Sequence, residues 1–364
     1  MRKTIVIIGS RGIPASYSGF ETSIQETSIR LVNKGFDVVV HCRRNHYRVK
    51  KQSFNGVRLK HLPSIKSKFF DTITHTALST VQIFFEKVDY VILYGIGNSI
   101  FIPFLRLRGV PVIAVVDGAD WERAKWPFFA KKYLSVNRYF AVYFSSLYIV
   151  DNEKLALDYQ QRFKRNPVYI PYGANQLSIY DSRFLGKYGL CERGYIIFIG
   201  RFVKEKGIDL LIQAFEQVTT DKKLVIVGGN ETDKKYVQSL HSKGGNRIVF
   251  TGFIYGEEYE SLLHKALFYV SASLLEGTSP SLLSAMAING FALVSNLPEN
   301  EEVLKGSCAT FETGNVNQLA EKLRFYINAE DKIEIERERT KFIVKKYYSW
   351  DTITDKYVEL LDHN

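Results

Sequence analysis

No apolar run in this chain approaches the roughly 20 residues that a bilayer-spanning helix needs. The run 5–8 stops at Gly9, too short for the core of a secretory signal, and the aromatic-rich stretch 139–150 is broken by Ser145 and Ser146. Neither a spanning segment nor a leader is expected. Cysteine is scarce as well: Cys42, Cys191 and Cys308 are three in 364 residues. An odd number at wide spacing excludes a disulfide framework and points to a reducing compartment. The seven histidines lack ligand spacing, His41, Cys42 and His46 being the nearest approach, so no metal site is expected. Gly9, Gly12 and Gly19 are spaced by three and seven, so the Gly-x-Gly-x-x-Gly fingerprint of dinucleotide binding is missing.

Acidic residues are also short in one half. Residues 1–180 hold 26 Lys and Arg against 12 Asp and Glu, an excess of +14, whereas the rest hold 23 against 26, or −3. The net charge of +11 therefore comes from the first half, whose field attracts phosphates on nucleic acid or on an anionic leaflet. No nucleic-acid recognition motif accompanies it, and a nucleic-acid partner is not expected. At 46% apolar residues the chain is too long for one ordinary core, and two domains are the default.

A pattern present twice organises the chain. The apolar run 4–8 ends at Gly9, an amphipathic helix follows over about 21–34, and a strand over 37–40. The run 195–199 ends at Gly200, followed by a helix over about 208–218 and a strand over 223–227. Each is the β-α-β opening of a parallel sheet. Runs at 90–93, 110–116, 146–150 and 168–170 extend the first sheet, and 247–250, 268–271 and 291–295 the second. The turn-rich stretch 174–193 reads as the linker. The expected division is 1–180 and 181–349, with a last helix over about 350–364 crossing back to the first domain through Ile353, Tyr357, Leu360 and Leu361.

Two segments of the second half carry chemistry. Gly200-Arg201-Phe202-Val203-Lys204-Glu205-Lys206-Gly207 follows a buried strand and delivers Arg201 and Lys206 to a helix start, a place to hold a diphosphate. Arg offers a planar fork for two phosphate oxygens and Lys a movable point charge. Further on, Glu276, Gly277, Thr278 and Ser279 place a carboxylate, a glycine turn and hydroxyls before another helix, a surface for sugar hydroxyls. In its plainest role Glu276 caps that helix or neutralises Lys206. In the first half the long loop 9–22 ends in Gly19, where backbone N–H groups at a helix start can approach a phosphate or sugar closely.

Together these motifs resemble the nucleotide-sugar site of a GT-B glycosyltransferase of the large retaining GT4 family. Ile7-Ile8-Gly9-Ser10-Arg11-Gly12-Ile13-Pro14-Ala15, Tyr17-Ser18-Gly19-Phe20-Glu21-Thr22 and the segment 117–126 resemble a bacterial group that includes β-1,4-rhamnosyltransferases of capsule and cell-wall polysaccharide assembly. Ile170-Pro171-Tyr172-Gly173-Ala174, Thr251-Gly252-Phe253 and Tyr348-Ser349-Trp350 are similar to the wider family. The resemblance implies an α/β GT-B fold, two Rossmann-like domains facing a cleft, and transfer with retention from a nucleotide diphosphate sugar, best dTDP-rhamnose. Gly12, Gly19, Arg201, Lys206, Gly252, Glu276, Gly277, Thr278, Ser279 and Ser284 then bind the donor. Glu276 sits near the transferred sugar, and Asp117 and Asp120 stand near the acceptor hydroxyl.

Two departures from the family pattern stand out. Ser284 replaces a Glu that holds the nucleotide ribose in related transferases, a change compatible with a deoxyribose. Asp117 follows Val116 where many relatives carry His. The Asp-x-Asp pair of the other major transferase fold is missing, Asp117 and Asp120 having two residues between them, so neither metal nor other cofactor is expected. Lys66, Lys68, Phe69, Phe70, Lys131 and Lys132 interleave cations with aromatics, as surfaces resting on lipid headgroups do. That suits an undecaprenyl-diphosphate-linked acceptor and a cytoplasmic protein peripheral on the inner face of the plasma membrane. The alternative is a catalytically silent nucleotide-sugar or glycan-binding module.

Overall fold

The computed structural model describes residues 2–15, 19–67, 70–116, 128–175, 183–230 and 233–362. Two compact units emerge, Met1–Tyr172 with Trp350–Asn364, and Gly173–Ser349. The division falls at Tyr172, ahead of the expected 180. The reason is local: the Ala174 N–H donates to the Tyr348 carbonyl at 2.7 Å and Ala174 pairs with Ser349 in an isolated parallel bridge, which ties this stretch into the second unit.

The first unit is built on an eight-stranded sheet: β1 Thr4–Ile8, β2 Asp37–Arg43, β3 Ser53–Phe54, β4 Val57–Leu62, β5 Tyr90–Tyr94, β6 Val112–Val116, β7 Leu147–Val150 and β8 Val168–Tyr169. Its order is β3-β4-β2-β1-β5-β6-β7-β8, parallel except for β3 against β4. Most of its strands are buried on both faces, as a parallel sheet covered by helices requires, and so read as continuous apolar runs. The hairpin β3–β4 was not among the expected strands. Its turn is Asn55-Gly56 with both residues at positive φ, 46° and 84°, the conformation that a two-residue hairpin matching the strand twist demands.

The last helix, Trp350–Asp362, belongs to this unit and lies on the helix Gly19–Asn33, with Arg30 bonding Asp351 at 2.8 Å and Lys34 bonding Asp355 at 2.6 Å. Ile353, Tyr357 and Leu361 form its buried stripe. Exposed pairs of this kind contribute little, so burial of the stripe holds the helix.

The second unit carries six parallel strands: β9 Tyr195–Ile199, β10 Lys223–Val227, β11 Ile248–Gly252, β12 Tyr269–Ser271, β13 Ala292–Ser295 and β14 Ala309–Phe311, in the order β11-β10-β9-β12-β13-β14. Its core joins Phe198, Phe202, Phe215, Phe268 and Phe291 to the aliphatic residues of the helices Ile208–Glu216 and Val316–Asn328. In both sheets the chain reverses its direction of winding beside the opening strand, between β1 and β5 and between β9 and β12. Such a switch point leaves a crevice at the carboxyl ends of the strands, where open α/β sheets take their ligands.

Among the described residues no helix is long and apolar enough to cross a membrane.

Candidate functional site

The loops that leave β9 and β12 meet at the second sheet's switch point. The first runs from Gly200 to Gly207 and ends in a single turn, Lys204–Lys206, from which Lys206 reaches Glu276 of the loop after β12. Gly207 enables this: its φ is +58°, and a Cβ there would lie 2.0 Å from the Ala272 carbonyl of the neighbouring loop. Gly228, after β10, is equally constrained, since a Cβ would stand 1.9 Å from the Gly200 carbonyl. The two loops are further joined by the Leu274 N–H, which donates to the Glu205 carbonyl at 2.8 Å.

Across this contact Lys206 Nζ bonds Glu276 Oε1, with 15% and 11% of the two side chains exposed. The same oxygen accepts from the Ser273 hydroxyl at 2.7 Å, and Ser273 is linked to Ser271 at 3.0 Å. Glu276 is thus a fixed, charged acceptor, and its partner cation is the one suited to a diphosphate. Of the plain roles open to Glu276, neutralising Lys206 is realised. Capping of the next helix, Pro280–Ile288, falls to Ser279, whose oxygen accepts from the Leu282 N–H at 3.4 Å. Ser279→Ala is expected to cost about 1 kcal/mol of stability in urea unfolding, the usual loss for a removed cap.

Arg201 is exposed on the same loop. Thr278 is buried, and Gly277 lies partly buried beside it. Ser284 faces Tyr259 and hydrogen-bonds its phenol, which burial pushes up to about 12. Gly252 closes β11 at φ +72°, its carbonyl accepting from the Gly228 N–H at 3.0 Å. Lys206 and Glu276 are therefore brought into contact, and Thr278 and Ser279 share the loop of Glu276, whereas Gly252 sits two strands away from β9. Ser273 was missed by the sequence reading. Its signal was the alternation Ser271-Ala272-Ser273 at a strand end, where hydroxyls on a buried strand need a polar partner.

Gly12 and Gly19 belong to the first unit. Gly12, at φ +107°, lets the loop after β1 lie against β2, since a Cβ would meet Cys42 Sγ at 2.4 Å, and Gly19 opens the helix Gly19–Asn33. His41 and Cys42 alternate across β2, Cys42 packing on the Ile13 carbonyl at 3.7 Å. They do not converge as ligands, and no group of three His, Cys, Asp or Glu among the described residues is placed to hold a metal. Lys66 and Phe70 are exposed at the start of the helix Phe70–Ile83, and Lys132 is exposed with Lys131 half-buried in the first turns of the helix Phe128–Phe144. Phe128 and Phe129 beside them are 75% and 83% exposed. Asp117, Asp120, Lys68 and Phe69 lie outside the described residues.

Comparison with known proteins bears on the family and the fold. Residues 187–347 match the family described as glycosyl transferases group 1, and residues 2–175 match a domain of unknown function, DUF1972. An uncharacterized glycosyltransferase of Methanocaldococcus jannaschii is 27% identical over 210 residues, 56% of this chain and 56% of that protein, so the chain spans about half the length of this curated relative. Sucrose-phosphate synthase of Thermosynechococcus elongatus superposes with a TM-score of 0.83 at 17% identity, covering 100% of this chain and 99% of that one. Anabaena HepE, solved with UDP and glucose, gives 0.80 at 13% identity with full coverage of both chains. At such identities the likeness shows the fold, which is GT-B.

Proposed function

We propose that this chain, with residues 187–347 matching the glycosyl transferases group 1 family and its whole length built as a GT-B fold, transfers a sugar from a nucleotide diphosphate donor. The observation that carries the reading is the Lys206–Glu276 pair at the switch point of the second sheet. A half-buried cation there is held in reserve by a carboxylate. When a sugar diphosphate enters, Lys206 turns to the phosphates and Glu276 is freed to accept from sugar hydroxyls. The bond from the anomeric carbon to the phosphate oxygen breaks, and the departing diphosphate takes both electrons. Lys206 and Arg201 meet that charge in a partly dehydrated crevice, where fixed cations stabilise it better than water does. The acceptor hydroxyl bonds to the anomeric carbon on the same face and its proton passes to the leaving phosphate, so configuration is retained and no metal takes part.

For the donor we infer dTDP-rhamnose and for the acceptor a lipid-diphosphate-linked saccharide, on the resemblance of the loop 7–22 to polysaccharide rhamnosyltransferases. Ser284 supports a deoxyribose, because it offers one hydroxyl where a carboxylate would engage two. The test is a calorimetric panel of dTDP-, UDP- and GDP-sugars, followed by transfer to a glycolipid diphosphate. Binding without transfer or hydrolysis would select the silent binding module instead, and no binding of any nucleotide sugar would end the reading.

The first unit then faces the cytoplasmic surface of the membrane. Its support is the +14 excess of residues 1–180 together with the exposed Phe128 and Phe129 beside Lys131 and Lys132. Each lysine near an anionic leaflet contributes about 1 kcal/mol, so Lys131→Gln with Lys132→Gln should weaken binding to phosphatidylserine vesicles roughly thirtyfold. Wild-type binding should fade as salt rises and the Debye length shrinks. Binding indifferent to lipid charge would reject this surface.

A further inference from the structure

We propose that a cavity of about 270 Å³ on the first unit binds a phosphoryl-bearing sugar. One wall is the loop after β1, residues 13–15; the other is the segment that joins β2 to β4, with His46, Arg48 and Lys51, together with Leu59 and His61 of β4. The role as acceptor site rests on the transfer reading above, but the binding does not.

Charge makes the first argument. Residues 41–51 contain five Arg and Lys, two His and no Asp or Glu. No carboxylate lines the cavity, and Arg48 and Lys51 are exposed, with no ion pair among the described residues. Cations gathered at a concave surface focus the field on whatever anion enters.

Preorganisation makes the second. The Tyr47 hydroxyl donates to the Pro14 carbonyl at 3.3 Å and so ties the two walls together. His61 Nε2 is 2.9 Å from the Lys51 carbonyl, which only accepts, so this nitrogen carries the hydrogen and fixes the turn that presents Lys51. His46 Nε2 donates likewise to Asp71 at 3.0 Å. Asp71 is already held by Arg43 at 2.8 Å and by the Ser64 hydroxyl at 2.5 Å, partners that keep its carboxyl down at about 2 against the opposing effect of burial. The His46 ring is therefore anchored at one nitrogen, leaving Nδ1 to meet a ligand.

Size and lining supply the third. Small-molecule pockets begin at about 300 Å³, so this cavity suits a monosaccharide phosphate rather than a nucleotide. Ile13, Pro14, Val49 and Leu59 line it with apolar surface suited to the C–H face of a sugar ring, and Arg48 and Lys51 line it with cations suited to the phosphate. The position fits too, at the carboxyl ends of β1, β2 and β4, the end of the sheet from which α/β folds take their ligands.

Calorimetry on the full chain tests this with glucose 1-phosphate, inorganic phosphate, glucose and a short-chain alkyl glucosyl diphosphate as probes. Glucose 1-phosphate should bind at least about tenfold more tightly than glucose, the effect of one charge-assisted contact. Arg48→Gln with Lys51→Gln, both at exposed positions, should abolish that difference and leave the affinity for UDP or dTDP unchanged. Tighter binding of the alkyl diphosphate than of glucose 1-phosphate would assign the site to a lipid-linked sugar; equal binding would assign it to a soluble one, and either supports the proposal. Equal affinity for glucose and its phosphate, or an unaltered double variant, overturns it. Loss of nucleotide binding alone would strike at the transfer reading and leave this one standing.

Discussion

Lys206→Ala is expected to lower transfer at least about a hundredfold while the protein stays folded. Two losses add. The charge-assisted bond to the departing diphosphate disappears, which costs roughly 1.5 to 3 kcal/mol. Glu276, with 11% of its side chain exposed, is then left without its cation where the diphosphate must lie, and a bare carboxylate repels it. A hundredfold corresponds to about 2.7 kcal/mol, so the first loss nearly suffices and the second carries the effect past it. Steady-state kinetics with the donor selected by the panel will measure this, with thermal unfolding as the control for fold. Glu276→Gln separates the two contributions: it frees Lys206 and should tighten binding of the nucleoside diphosphate while slowing transfer. Arg201→Ala, exposed and without a buried partner to strand, should cost only about tenfold. Near-normal transfer by a well-folded Lys206→Ala protein would remove the clamp from the mechanism.

The first unit is expected to lose roughly 3 kcal/mol of stability between pH 6.5 and pH 5. His41 and His75 are fully buried on β2 and the helix Phe70–Ile83, and burial pushes their imidazoles down to about 3 and about 4. For His41 the charges of His75 and Lys60 add to this, and for His75 the charge of Arg43. Unfolded, each titrates near 6.5. Below that value the unfolded chain binds protons that the folded chain refuses, so the stability is whole above pH 6.5 and falls as pH drops towards the folded values. The loss per group steepens from about 0.7 kcal/mol per pH unit at pH 6.5 towards about 1.4 at pH 5, and two groups over one and a half units give the figure above. Asp71, held at about 2, contributes in the same direction only below about pH 4, and so does not blur the window. Urea unfolding at pH 7.5, 6 and 5, followed by a probe in the first unit, will show the slope. His41→Gln should remove about half of it, and a flat profile in the wild type would mean that both rings are charged in the folded protein.

Legibility differed between the two units for identifiable reasons. The opening strands β1 and β9 announced themselves as apolar runs ending in glycine, and the structure begins both at the residues read from sequence, Thr4 and Tyr195. The hairpin β3–β4 escaped because its partner residues, Ser53-Phe54 and Val57-Arg58-Leu59-Lys60, carry too few apolar positions. Its real signal, Asn55-Gly56, is a turn and lies in no run. β14 escaped because Ala309-Thr310-Phe311 alternates about a polar residue and forms no apolar run. Ser279 read as a ligand hydroxyl and is found capping a helix, because a Ser followed by Pro satisfies both descriptions and only geometry separates them.

By itself the sequence determined what depends on neighbours along the chain: the alternation of buried strands and amphipathic helices, the glycines that turn each strand into its loop, and the residue types that suit a sugar diphosphate. The uneven charge was legible in the same way, being a sum over positions. Only the tertiary structure decided which of those residues meet. Lys206 and Glu276 are 70 positions apart, and their contact exists because β9 and β12 pair at the switch point while Gly207 lets the two loops touch. The cavity of the first unit was silent for the same reason, its walls lying on either side of the helix Gly19–Asn33 in the chain and joined in space by Tyr47 and Pro14. Local propensity acts over a few residues, whereas a site needs groups brought together across loops whose closure is stabilised only by the packed core.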